Sequence, residues 1–223
     1  MIDVHPETML KYGDVLPPVY RYMGIEHIDR FFEDGSLRLT TYERCKALED
    51  AARRDIGEGK QHYAITDGQQ MLAGVQGVGN RSYLFCTSLS PRITHFTDKT
   101  CLKIIDAIKF AEAVGAKLSA GAIQLGACVY RPDREPMYGT TAPLFPVVDP
   151  SSIGDPEAFM KAMNHHLAKL VDDRVGSDTY FAKPAIFACD GEFRFVFTVA
   201  AHVSGPIDIK CPEALAVLSL IHI

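Results

Sequence analysis

Asp190-Gly191-Glu192-Phe193-Arg194-Phe195-Val196-Phe197 is the stretch whose reading decides the fold. From Glu192 to Ala200 it is a run of bulky apolar residues with two charges at its start, which reads as a buried strand. Burying an unpaired charge is costly, so such charges need partners. Two distant stretches have the same character: Val19-Tyr20-Arg21-Tyr22 and Leu84-Phe85-Cys86-Thr87-Ser88-Leu89-Ser90. The simplest way to satisfy all three is to let them meet in space.

Composition narrows the field. With 223 residues, 47% hydrophobic and 23% charged, the chain is expected to be one soluble globular domain over residues 1–223. A formal charge of -5 and a pI near 5.9 exclude a general duplex-binding surface, which needs a basic excess, but leave room for a local basic patch. The cysteines at 45, 86, 101, 128, 189 and 211 form no CxxC pair. They read as small buried hydrophobes of a reducing cytoplasm rather than as a disulfide framework. The N-terminus, Met1-Ile2-Asp3-Val4-His5-Pro6, lacks a basic and then apolar leader, and no apolar run approaches the ~18 residues of a membrane span. A cytoplasmic protein without a membrane partner is expected. The chain ends inside an apolar run, Leu218 to Ile223, as an interrupted element would.

Along the chain, Val19 to Tyr22 is a short strand, and Ile25, Ile28, Phe31 and Phe32 mark a helix that Gly35 stops. Leu37 to Thr40 alternates like a strand. The charged segment 42–60 is helix-capable in its first half and mobile in character. Gly74, Gly77 and Gly79 mark a loop, and Ser82 to Thr87 a central strand. Cys101 to Ile105 is a strand, Asp106 caps a helix that ends near Gly115, and Ile123 to Tyr130 is a further strand. The Pro-rich stretch 132–150 reads as a surface excursion. Asp155-Pro156-Glu157 starts a helix whose buried face is Phe159, Met160, Met163, Leu167 and Leu170, and Ala214 to Ile221 is strand or helix. Strands and helices mixed without regular alternation indicate α+β.

The order of a Tyr-Arg-Tyr strand, an Arg-rich segment, a Cys-Thr-Ser-Leu-Ser strand, Lys183-Pro184 and Glu192-Phe193-Arg194 resembles a group of uncharacterised bacterial domains with a late Lys-Pro and Glu-Phe/Tyr-Arg signature. The layout is similar to that of the ADP-ribosyltransferase superfamily, Arg-Ser-Glu type. That superfamily carries an arginine on the first strand, a Ser-Thr-Ser-like motif on a middle strand and Glu-x-Glu or Gln-x-Glu at the start of a late strand. Arg21, Thr87-Ser88-Leu89-Ser90 and Asp190-Gly191-Glu192 match these positions in order. The resemblance implies a split mixed or antiparallel sheet with peripheral helices, and mono-ADP-ribosyl transfer from NAD to an unidentified protein or nucleic-acid acceptor. NAD hydrolysis is the accompanying or sole reaction. Superfamily members in bacteria act as toxins or in phage conflict.

Cleaving the nicotinamide–ribose bond passes through an oxocarbenium-like state, which carboxylates stabilise. Glu192 is the expected stabiliser, Ser88 its positioning hydroxyl, and Asp190, two residues earlier on an extended strand, the group facing the acceptor. Arg21 offers a planar fork to the pyrophosphate, with Tyr20, Tyr22, Thr87, Ser90 and Arg54 as further NAD-binding candidates. The superfamily has a longer side chain where this chain has Asp190, which leaves the acceptor type open. The competing reading is a non-catalytic module that binds a nucleotide or a protein on the same fold. Residue by residue there are plainer readings too. Glu192 and Arg194 read equally as neighbours on a solvated face, Arg21 as the partner of a surface carboxylate, and Ser90 as the start of a turn. Arg53-Arg54-Asp55 with Glu58-Gly59 reads as a solvated charged face ahead of a loop over bound dinucleotide. His165-His166 diverge by about 100° on a helix and make no two-ligand face, so no metal is expected. Cys86 or Cys189 with His95 reads as packing rather than as a nucleophile pair.

Overall fold

A computed structural model describes residues 1–47, 55, 57–77, 79–92, 100–132, 137–140, 144, 155–176 and 178–221. The elements in chain order are β1 (Ile2–Val4), α1 (Pro6–Tyr12), β2 (Val19–Met23), α2 (Ile25–Asp34), β3 (Ser36–Leu39), α3 (Tyr42–Lys46), β4 (Lys60–Thr66) and β5 (Met71–Gly77). There follow β6 (Ser82–Ser88), β7 (Thr100–Ile104), α4 (Ala107–Leu118), β8 (Ala122–Ala127), β9 (Val129–Arg131), β10 (Met137–Gly139) and α5 (Pro156–Val175). The chain closes with α6 (Asp178–Phe181), β11 (Ala182–Pro184), β12 (Glu192–Thr198), β13 (Ile207–Lys210) and β14 (Leu218–Ile221). The class is α+β, as the irregular alternation implies.

A seven-stranded sheet in the order β1-β8-β12-β6-β2-β7-β14 organises the molecule. Its β1–β8 pair is parallel and the others antiparallel. The three strands with polar motifs are neighbours at its centre. β12 runs in register with β6 from Glu192↔Ser88 to Thr198↔Ser82, whereas β2 meets β6 only at Tyr20↔Ser88. The sheet therefore divides between β6 and β2. Buried backbone groups need partners, and the free edge of β6 finds them elsewhere. Leu84 exchanges both backbone bonds with Thr40 just beyond β3, at 2.9 and 2.8 Å, and the Cys86 carbonyl accepts from the Arg21 guanidinium.

Alternation along β12 serves two layers. Phe193, Phe195 and Phe197 point into the main core, where Phe195 lies 5.1 Å from Phe110 of α4 and 6.2 Å from Phe85. Val196 points the other way, into a smaller cluster with Tyr42, Leu84 and Phe181, and by the same period so do Glu192 and Arg194. This second layer overturns the solvated-face reading of the two charges. It exists because α3 and α6, both too short to carry much periodicity, lay one fully buried aromatic each over the sheet.

Several expected elements shift. Gly74 and Gly77 lie in β5, not in a loop: Tyr63 of β4 stands opposite Gly74, and its hydroxyl occupies the space a side chain there would fill. The strand expected over Ile123–Tyr130 breaks at Cys128, and β9 pairs with β11 instead. α4 starts on its Asp106 cap but runs past Gly115 to Leu118. Of the apolar faces expected on α2 and α5, Ile25, Phe32 and Met160 are exposed, and Leu170 is the buried member of the α5 set. In the Pro-rich excursion β10 pairs with β4 and Leu144 is fully buried, so its described part is tied to the body. Ala214 to Ile221 is 3₁₀ turn and then strand. β1, α1, β4, α6, β11 and β13 have no counterpart in the sequence pattern.

Truncating the hub of the aromatic cluster is expected to be severe. Phe195→Ala should lower unfolding free energy by about 3–5 kcal/mol, and Phe32→Ala, at an exposed site, by less than ~0.5 kcal/mol. Urea titrations of both variants check this, and equal losses would contradict the inward orientation of β12.

Candidate functional site

A cleft of about 600 Å³ opens at the divide of the sheet, within the range of small-molecule sites. Because Tyr20 stands opposite Ser88 and Ser88 opposite Glu192, three strands present their motifs side by side to it. Arg21, Ser88 and Glu192 all line it, with Tyr20, Tyr22, Thr87 and Asp190. Ser90 lies just outside, its hydroxyl holding a turn through Arg92. Arg54 lies outside the described residues, as do Arg53 and His95.

The deep wall of the cleft is a buried charge network. Arg194, 1% exposed, donates from Nε to Glu192 Oε1 at 2.6 Å, and from Nη1 to the Tyr180 carbonyl at 2.8 Å. The same Nη1 lies 2.7 Å from Oε1 of Glu58. Lys183 Nζ contacts the other Glu192 oxygen and lies 3.5 Å from Asp190. The Glu192 backbone N–H donates to the Tyr130 hydroxyl at 2.6 Å. Burial alone would disfavour charge on every member. Glu192 escapes this because Arg194 and Lys183 outweigh its desolvation and hold it well below the usual carboxylate range. Glu58 does not. Burial pushes its proton affinity up, Arg194 offsets only part, and the Glu192 charge adds to the rise.

Glu58 and Asp55 are both buried, which corrects the reading of their segment as a solvated face. Their turn folds inward because Asp55 Oδ1 accepts from Gly57 N at 3.1 Å and its carbonyl accepts from Glu58 N at 3.0 Å. Glu58 is a cleft residue that the sequence reading does not place among the site candidates. Its signal is an acid beside a glycine, Glu58-Gly59, in a charged segment whose turn needs a buried partner.

Other expectations change in detail. Asp190 does not precede Glu192 on an extended strand: it ends a 3₁₀ turn over Ala185–Asp190, and Gly191 reverses the chain with φ +50°. That turn brings the Asp190 carboxylate to Lys183 instead. Ser88 Oγ donates to the Asp190 carbonyl at 2.7 Å and accepts from Ser90 N at 2.9 Å, so it fixes the Asp190 turn rather than the Glu192 carboxylate. Thr87 donates to the Phe193 carbonyl at 2.8 Å. Arg21 serves the Cys86 carbonyl, with its guanidinium carbon 5.0 Å from the centre of the Phe85 ring. Tyr22 donates to the Ser90 carbonyl at 2.7 Å. Burial drives the Cys86 thiol well above its ordinary value, which removes it as a nucleophile. Among the described residues no cluster has the composition of a metal site.

The rim has a different character. Among the described lining residues, Arg21, Arg30, Arg38, Arg44, Lys183 and Arg194 outnumber Glu58, Asp190, Glu192 and Asp208. The described lining thus carries a formal +2 on a chain of -5. Arg30, Arg38 and Arg44 are exposed at the rim, and Glu58 and Glu192 lie deep. Arg194 and Lys183 lie deep beside those acids, so the excess positive charge of the described lining sits at the rim, which draws an anion.

Isosteric substitutions of the two carboxylates that Arg194 contacts should act with opposite sign. Glu192→Gln leaves two buried cations underpaired and is expected to lose about 3–5 kcal/mol at pH 7. Its contribution is present above about pH 4.3, the ordinary carboxylate value, and fades as pH falls below it, so the variant's acid unfolding limb flattens. Glu58 runs the other way: its folded-state affinity for a proton is raised, so its ionisation costs stability as pH rises. Glu58→Gln should therefore match or exceed wild-type stability at pH 7 and lose that advantage below pH ~4. Chemical denaturation across pH 3–8 measures both, and a large loss on Glu58→Gln would contradict the assignment. No protein-family model, curated protein or solved structure matches the chain, so the chemistry of the cleft is read from its own residues.

Proposed function

We propose that the chain is a mono-ADP-ribosyltransferase-like enzyme on an ADP-ribosyltransferase-like split sheet. It cleaves NAD between nicotinamide and ribose and passes ADP-ribose to an acceptor, with hydrolysis as the side reaction or the whole activity. The observation that carries this reading is the convergence of Arg21, Ser88 and Glu192 on one cleft at the divide between β6 and β2.

Each feature of the cleft has a use in that reaction. The cationic rim suits a pyrophosphate, for which guanidinium groups provide paired donors. Glu192 is kept ionised and oriented by Arg194 and Lys183. An ionised carboxylate has about four acceptor sites, so two cations leave room for a ribose hydroxyl. A fixed anion in a water-poor wall favours the positive charge that grows on the ribose as nicotinamide leaves. Ser88 acts at one remove, by holding the turn that carries Asp190.

A second reading, a nucleotide-binding module without turnover, draws on one observation. Glu192 meets two cations and Asp190 meets one, so the wall is already neutralised before any ligand enters. Incubation with NAD separates the two readings. The enzyme releases nicotinamide, and the module binds saturably without release. Arg44→Glu reverses an exposed rim charge without touching the buried network and is expected to raise the KM or Kd for NAD about tenfold in either case. A chain that neither binds nor cleaves NAD would end both readings.

A further inference from the structure

The deep wall holds a second carboxylate whose chemistry the transfer reaction needs. The side chain of Glu58 is 4% exposed and lines the cleft together with Glu192. Its Oε1 lies 2.7 Å from Arg194 Nη1, but that nitrogen's aligned bond goes to the Tyr180 carbonyl at 2.8 Å. Among the described residues, no donor makes an aligned hydrogen bond to this oxygen. A buried carboxylate oxygen held by an ion contact without an aligned hydrogen bond is uncommon. A hydroxyl entering the cleft supplies what it lacks.

The groups that face Glu58 come from every element around it: Arg194 and Glu192 on β12, Lys183 on β11, Asp55 on its own turn, and Tyr42 and Cys45 on α3. Burial raises its affinity for a proton, Arg194 opposes, and Glu192 reinforces. Two carboxylates held by one guanidinium are thus driven apart, one held ionised and the other with its affinity for a proton raised. Such a pair divides the labour of glycosidic chemistry between a charge stabiliser and a base.

The cleft also restricts what it can modify. A guanidinium or ammonium acceptor would meet a formal +2 on the described lining, and Asp190, the carboxylate expected to greet it, is engaged by Lys183 at 3.5 Å. A neutral O–H nucleophile meets no such repulsion, but it must lose a proton as it attacks.

We propose that the acceptor is a neutral O–H group, water or an alcohol, and that Glu58 is the base that takes its proton. The inference rests on the reading of the cleft as an NAD-cleaving site. The bond from ribose C1′ to the nicotinamide nitrogen breaks, and its electron pair leaves with nicotinamide. The acceptor oxygen bonds to C1′, and its proton passes to the Glu58 carboxylate and then to solvent. Glu192 remains ionised throughout and faces the oxocarbenium-like ribose.

The test incubates the full chain with NAD in aqueous methanol, with agmatine as a guanidinium probe, and follows products by mass spectrometry. Nicotinamide, ADP-ribose and its methyl glycoside should appear without an agmatine adduct. Glu58→Gln should lower kcat at least ~100-fold, with the KM for NAD within about twofold of wild type and an unimpaired melting temperature. Wild-type kcat should fall about tenfold per pH unit on the acid side, through a pKa above the ordinary carboxylate range, and the variant should lack this limb. An agmatine adduct would overturn the acceptor assignment. Wild-type kcat with the same acid limb in Glu58→Gln would overturn the base while leaving NAD cleavage standing. A wild-type chain that does not cleave NAD removes both the underlying reading and this one.

Discussion

One guanidinium ties the structure together. Arg194 stands in the middle of the central strand β12, almost without solvent contact, and touches two carboxylates and a backbone carbonyl from three separate parts of the chain. A buried cation of this kind is destabilising unless each of its donors is used, so its presence fixes where Glu58, Glu192 and the chain at Tyr180 lie relative to the sheet. Lys183 extends the same constraint to β11 and the Asp190 turn. A Met at position 194 would fill the space, but Glu58 would lose its guanidinium partner and Glu192 would keep only Lys183.

The divide in the sheet supplies the space that the network borders. Full pairing of β2 with β6 would close the cleft; a single register pair leaves it open. Openness is sustained because the exposed edge of β6 is not left bare: Thr40 takes Leu84, and Arg21 takes Cys86. Arg21 therefore has a structural task in the ligand-free chain at the position where the transferase reading wants a phosphate-binding group. Its planar fork has five N–H donors, enough to serve a carbonyl and a phosphate oxygen together.

Much of this was legible in residues that looked out of place. The polar groups in three apolar runs announced that Val19–Tyr22, Leu84–Ser90 and Asp190–Phe197 belong together, and the sheet makes them neighbours. The two-layer burial of β12 was not legible, because the covering elements α3 and α6 are five and four residues long and carry no pattern of their own. Glu58 was misjudged for a related reason. A charged segment reads as solvated unless its tertiary partner is known, and that partner, Arg194, lies far along the chain. Gly74 in β5 was mistaken for a loop marker because the cross-strand aromatic that fills its place, Tyr63, lies in a strand the sequence reading passed over. Local periodicity located the elements that bury one regular face; pairings between distant charges lay beyond its reach.

A crystal structure of the chain with a non-cleavable NAD analogue tests the central claim most directly, that the buried acids and the cationic rim belong to one ligand site. The pyrophosphate is expected among Arg21 and the rim arginines, and the ribose that carries nicotinamide with its hydroxyls within hydrogen-bond distance of Glu192, with Glu58 on the side from which an acceptor would approach C1′. An analogue seated elsewhere, or a cleft left empty at saturating concentration, would contradict it.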